Sequence, residues 1–504
     1  MASTSPRPPS RPASLSDSGS SGRISPINGY DSSAALILVP DSADPSGAPF
    51  DIDISSEDEE EDEDEQRERL LASPVPPLSS PTVFLYLLAP FLKLGATLVA
   101  DVQMRREAEV LVLLGFAGLA AFTRQIWYML ARYVRRADME EIVLEAFARG
   151  RGHDTRRRLL RYVVRGNVGV LRILLAAVYL RASTDALIPL LPTRLLLPSN
   201  ITTTLLLALI ILPLYYSPSL GKAKVVYATW TSIAAFVAWM ACMAYTHAKG
   251  MVTAQASSSS LGSLWEGIPV IAFAFTTGST IPLYASLKGD VQPELLKQKR
   301  SKSFKLLSLI SVAFAFLLIL PLVFFQSPNH SPSPTSTVRT MTAIFSAAAL
   351  SLAIPSILIT SPALPVSFAM RRLTNFPISK TLVYVVTISL SLCPQPIFGI
   401  LSDVLLVLAF LSTYMLPAFI HIILHNFRRP LSIIIPPSTP AIPRTASASE
   451  SDSRYDELLQ RKERTLQRRR LVRRIVWDIG VWTLLVPVGG GGLVWAVGRI
   501  AGQW

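Results

Sequence analysis

From residue 82 onward the sequence is a succession of apolar segments, and their number and length constrain the fold more than any other feature. A helix needs about 20 apolar residues to cross the hydrocarbon core of a bilayer. Eleven segments approach that length: 82–102, 108–133, 162–182, 200–217, 224–247, 266–287, 304–325, 339–360, 378–393, 397–425 and 475–498. The fourth and ninth are the shortest. Thr381 to His425 has to be two spans, because 45 residues at about 1.5 Å each overrun one bilayer. Cys393-Pro394-Gln395-Pro396 supplies the reversal. Lipid offers the backbone no hydrogen-bond partners, so such segments close their bonds internally as helices. The expected fold is an all-α multi-pass membrane protein with about eleven transmembrane helices.

Composition excludes a soluble enzyme: 50% of the 504 residues are hydrophobic and 16% charged, against about 25% charged in soluble domains. The net charge is +13, yet the first 73 residues carry −11, which leaves +24 on the rest. That excess sits in short loops beside apolar spans, where it fixes topology; no nucleic-acid partner is expected, and the lipid bilayer is. Cys242 and Cys393 fall in or beside spans and read as packing residues, with no disulfide or metal pattern around them.

Four regions follow. Residues 1–80 form an acidic tail rich in Ser and Pro, with the run Glu57–Glu65, expected to be disordered and cytoplasmic and to meet a cytoplasmic partner. Nothing in it resembles a cleaved signal peptide, and Gln66–Leu71 nearly matches an acidic dileucine signal. Residues 81–425 hold a ten-helix core, 426–474 a basic loop, and 475–504 the eleventh helix. Arginines and lysines concentrate between spans two and three, six and seven, eight and nine, and ten and eleven, which predicts a cytoplasmic N-terminus. The sequons at Asn200 and Asn329 then fall on the opposite side. Asp456–Arg474 is basic and partly amphipathic, suited to a solvated lead-in or an anionic membrane surface.

Glu266–Asp290 carries the sharpest functional signal: a polar interruption, Thr276, Thr277, Gly278, Ser279 and Thr280, in the middle of an apolar span flanked by Pro269 and Pro282. Interrupted helices survive at membrane depth where they line a cavity or meet a ligand. Hydroxyls and exposed peptide groups there would receive a solute's charged groups, and Gly278 would let the backbone approach it. The competing reading is close helix packing by small residues. The first span, Phe84–Ala100, offers Pro90 and Gly95 as its own breaking residues and places Lys93 among apolar neighbours. A charge there faces a cavity or partner, or its stem carries it to an interface. Arg124, Arg172, Arg181 and Asp185 lie near span ends, with Arg172 and Tyr179 on one helix face. His421 and His425, one turn apart, suit a structural role better than metal binding or proton relay.

Residues 268–288, IPVIAFAFTTGSTIPLYASLK, resemble the sixth-helix signature of the amino acid/auxin permease superfamily. Leu212–Leu220, LPLYYSPSL, is similar to the end of that family's fourth helix, and SPALPVSFAMRRL from Ser361 to its loop after helix eight. The resemblance implies a secondary transporter of amino acids with eleven helices, two inverted five-helix repeats, and a site between interrupted helices one and six. Thr276, Thr277 and Gly278 stand where the family carries a Cys-His pair, which leaves the substrate's side chain and the coupling ion unassigned.

The expected function is therefore secondary active transport of amino acids in a vacuolar or plasma membrane, with H+ as the coupling ion because no acidic residue is placed as a sodium ligand, and with no cofactor. Two alternatives stand beside it. A sensor or scaffold on a transporter fold would signal through the tail and the basic segment. A membrane enzyme would need a metal cluster, nucleophile elbow or phosphate-binding loop, none of which the sequence carries.

Overall fold

The computed structural model describes residues 76–102, 104–134, 138–148, 154–191, 198–249, 261–278, 280–288, 300–325, 337–362, 364, 377–424 and 475–501. The acidic tail to residue 75, the Gln66–Leu71 motif, the Asn329 sequon, Ser279, His425 and the basic segment 426–474 lie outside them. Every regular element among the described residues is helical.

Among the described residues eight helical stretches are long and apolar enough to cross a membrane, so the protein is a multi-pass helical membrane protein. The first, Ser80–Val99, consists of α1 (Ser80–Leu88), a 3-10 turn and α2 (Leu94–Val99). The others are built on α3 (Arg106–Val134), α5 (Asp154–Leu187), α7 (Ala223–Ala248), α10 (Arg300–Ile319), α11 with α12 (Thr337–Ser351, Ile354–Ile359), α14 with α15 (Gln395–Phe410, Leu416–Ile422), and α16 (Ile475–Ile500). Three shorter apolar helices stand where the fourth, sixth and ninth spans are expected: α6 (Ser199–Tyr215), the Leu264–Ala274 part of α8 (Leu261–Ala274), and α13 (Ile378–Ser391). The 17 residues of α6 rise about 25 Å against a core of about 30 Å. Beyond α8, the short α9 (Thr280–Lys288) continues the sixth segment.

Two buried apolar clusters stand out among the described residues. One joins α5, α6, α11, α12 and α13 through Tyr179, Ile211, Tyr215, Leu350, Ile354 and Tyr384. Within it Tyr215 and Tyr384 stack at 5.2 Å, and the Tyr384 hydroxyl donates to the Ala208 carbonyl. The other joins α1, α3, α7, α9 and α10 through Val83, Tyr86, Tyr128, Val225, Leu283 and Phe304. Large apolar side chains cover the outside, Leu111 and Leu209 among them at about 70% exposure, as a lipid-facing surface requires. The last helix docks through glycines: a Cβ on Gly480 would lie 2.7 Å from the Phe122 ring, and one on Gly492 2.9 Å from the Phe410 ring. An ion pair between Arg499 and Asp403, 3.0 Å, also joins α16 to α14.

The 34 residues of α5 rise about 50 Å, well beyond one bilayer, and its first turns carry exposed Arg156, Arg157, Arg158 and Arg161. The short α4 (Met139–Phe147) lies along that extension. Asp138 caps it by accepting from the Glu140 N–H, and Glu140 and Glu141 pair with Arg165 and Arg161 at 2.9 and 3.1 Å. Burial pushes the Asp138 carboxyl above the usual carboxylate range, only partly offset by the Glu140 N–H it accepts. Farther along α5, Arg181 donates to the Ser391 and Cys393 carbonyls at 3.1 and 2.7 Å and to the Gln395 side chain at 2.9 Å. It thereby holds the reversal that the Pro394 and Pro396 pair creates. Cys242 and Cys393 are free and only half buried, so neither is a core residue.

Candidate functional site

The first span breaks at Pro90. Proline has no N–H, so the carbonyl four residues back loses its helical donor. The chain tightens into a 3-10 turn at Ala89–Phe91, and Leu92 leaves the helical region at φ −95°, ψ 50°. Lys93 is fully extended at φ −132°, ψ −151°, and the helix resumes at Leu94. Arg124 of α3 repairs the broken end. Its Nη2 donates to the Leu87 carbonyl at 2.6 Å, its Nη1 to Ser311 Oγ at 2.8 Å, and its guanidinium lies 4.3 Å from the Phe91 ring centroid. Arg124 is therefore a buried structural partner of the interruption, 2% exposed, where the sequence places it near a span end.

Lys93 is 4% exposed. Its ammonium lies 5.9 Å from the Tyr179 ring centroid, and among the described residues no carboxylate or hydrogen-bond acceptor pairs with it. Among the described residues it makes no hydrogen bond to the hydroxyls of Thr276, Thr277 or Thr280.

The sixth segment breaks after Ala274. The N–H groups of Phe275 and Thr276 turn back to the Ala272 and Phe273 carbonyls at 3.2 and 3.1 Å, and the Thr276 hydroxyl adds a 2.8 Å bond to the Phe273 carbonyl. Thr277 leaves the helix altogether. Its N–H donates to Thr413 Oγ1 at 3.2 Å, and the Thr413 hydroxyl lies 3.4 Å from the Thr277 carbonyl. The Thr277 hydroxyl is buried without a partner. Gly278 has open space within 4 Å of where a Cβ would stand, and Thr280, 5% exposed, opens α9.

The partner of Thr277 belongs to a π-helical turn, Leu411–Met415, between α14 and α15. Pro417 accounts for it: the Thr413 carbonyl has no N–H four residues ahead to accept from, and the turn widens. The next residue, Tyr414, donates its hydroxyl to the Ala272 carbonyl at 2.8 Å. Sequence reasoning missed both residues. The available signal is Ser412-Thr413-Tyr414, three consecutive hydroxyls in an apolar run shortly before a proline.

The two interruptions lie side by side. A Cβ at Gly95 would collide with the Ala274 backbone, 2.8 Å from its nitrogen, so only glycine lets α2 press against α8 at this point. The Phe91 and Phe275 rings meet at 5.6 Å. The interruption that carries Pro90, Lys93 and Gly95 thus packs against Ala274 and Phe275, which lead into Thr276, Thr277 and Gly278. Farther off, the His421 ring lies 6.3 Å from that of Trp477, and no cluster that would hold a metal ion occurs among the described residues. No protein-family model matches the chain, and no curated protein is significantly similar to it.

Proposed function

We propose that the protein is a secondary carrier of amino acids, built on eleven spanning helices as two inverted five-helix repeats and one further helix. In this reading α6, α8 with α9, and α13 are the fourth, sixth and ninth spans. The observation that carries the proposal is the pairing of two interrupted helices beside Lys93, a buried ammonium with no counter-ion among the described residues. Burying a charge within a span costs several kcal/mol unless something compensates it. A solute carboxylate supplies that compensation. An amino acid also brings an ammonium, for which the unpartnered Thr277 hydroxyl and the unshielded backbone at Gly278 are suitable neighbours.

The likeness to the amino acid/auxin permease superfamily belongs to this same proposal, as do a vacuolar or plasma membrane, a cytoplasmic N-terminus and H+ as the coupling ion. The test is uptake by the purified protein in sealed vesicles, scanning amino acids with and without a pH gradient. Saturable uptake of an amino acid supports the carrier. Saturable binding with no flux overturns it in favour of a sensor or scaffold.

A further inference from the structure

Glu109 follows Arg105 and Arg106 at the start of α3, where sequence alone suggests an interfacial charge. It is 1% exposed, and neither carboxylate oxygen has a hydrogen-bond partner among the described residues. A carboxylate shut away from water with no donor is costly unless a proton or a cation compensates it. Its position ties it to the interrupted helices at two points. Phe116 lies seven residues along the same helix face, about 10 Å farther by rise. The Phe116 ring meets that of Tyr414 at 6.1 Å, and Tyr414 holds the Ala272 carbonyl at the end of α8. On the other side of Glu109 the chain enters α3 through Val102 and Met104, both buried against Gly267 of α8. Any movement of α8 therefore works on both ends of the Glu109 face.

Resting on the carrier reading above, we propose that Glu109 is the carboxyl that binds and releases the coupled proton. It is neutral while Val102 and Met104 sit on Gly267, and it gives its proton to water when that segment lifts away. The charged group that acts on it is exposed Arg106, one turn back on its own helix. On the elements packed against α3, Glu266 of α8 is exposed. Lys305 of α10 lies toward the opposite end of α3, where it meets Tyr128, the acidic residues of α4 follow that same end in the chain, and His421 of α15 packs on Trp477, which meets Phe122 midway along α3.

Glu109→Gln copies the neutral acid and tests the idea twice. Infrared spectra of the purified protein should contain a protonated carboxyl band at neutral pH that disappears in the variant; a wild-type protein without that band overturns the proposal. In vesicles the variant should still exchange amino acid across the membrane but lose at least tenfold of the accumulation driven by a pH gradient. Undiminished gradient-driven accumulation in the variant overturns the coupling role while leaving the carrier intact. Absence of any wild-type uptake or exchange overturns the carrier reading itself, and the coupling role with it, whatever the infrared band shows.

Discussion

Replacing Lys93 by methionine should make the protein more stable and worse at binding, and the opposite signs are what make the experiment decisive. Methionine keeps most of the side-chain volume and removes the ammonium. Among the described residues that ammonium has no carboxylate partner, and a Tyr179 ring lies 5.9 Å from it. An unpaired charge at the centre of a span costs about 2.5–3.5 kcal/mol on insertion scales. A cation–π contact at that distance returns about 0.5–1 kcal/mol. The difference, about 2 kcal/mol in favour of the variant, should appear as a higher melting temperature for solute-free protein. Binding moves the other way. A hydrogen bond between a charged donor and a carboxylate contributes about 1.5–3 kcal/mol, so Lys93→Met should weaken amino acid binding about 10- to 150-fold. Scintillation proximity binding and thermal unfolding on the same detergent preparation read both quantities. A variant that melts lower and binds as tightly as wild type would show that Lys93 serves packing alone, and would remove the chief support for a carboxylate-bearing solute.

Three further substitutions probe the surroundings. Gly95→Val puts a side chain into the Ala274 backbone, 2.8 Å from its nitrogen by the β-carbon alone; it should cost about 1–3 kcal/mol of stability, as overpacking does, and abolish uptake, read by unfolding midpoint and vesicle flux. Thr413→Val keeps the shape but leaves the Thr277 N–H unpaired, at about 1–3 kcal/mol, whereas Thr413→Ser should restore the wild-type midpoint; equal midpoints for the two variants would contradict the assigned bond. Asp138 has a folded-state pKa raised by burial, so the folded state holds its proton more tightly than the unfolded one, and the stability linked to it is lost as pH rises from the unfolded value through the raised one. Hydrogen-exchange protection of Ile142, Val143 and Leu144 should therefore fall across that window in wild type and stay flat in Asp138→Asn.

The apolar segments made the membrane class and the helical fold readable without coordinates, since lipid leaves the backbone few other choices. The sixth-segment interruption was readable for a related reason: Thr276, Thr277 and Gly278 are a poor continuation of an apolar helix. What satisfies the interrupted backbone was not. Thr413 lies 136 residues from Thr277, and nothing in either local sequence announces the other. Glu109 escaped notice because burial is a tertiary property, and a glutamate beside two arginines at a helix start reads as solvated. Arg124 posed the same difficulty in reverse: its sequence position suggested a membrane interface, but its guanidinium is enclosed because α1 needs a donor at Leu87.

Proline alone does not decide where these helices break. Pro213 and Pro269 both sit inside helices that continue through them. The breaks at residues 89–93 and 275–278 coincide instead with partners reaching in from other helices: Arg124 for the Leu87 carbonyl, Tyr414 for Ala272, and Thr413 for the Thr277 amide. In lipid an unsatisfied peptide group costs several kcal/mol, so an interruption persists only where the fold supplies those partners from elsewhere. Two of the three come from the π-turn at Leu411–Met415, itself widened by Pro417. A shift of that turn relative to α8 would loosen the Thr277 peptide and the end of α8 together, which makes Thr413 and Tyr414 the residues through which movement of α14 and α15 reaches the site.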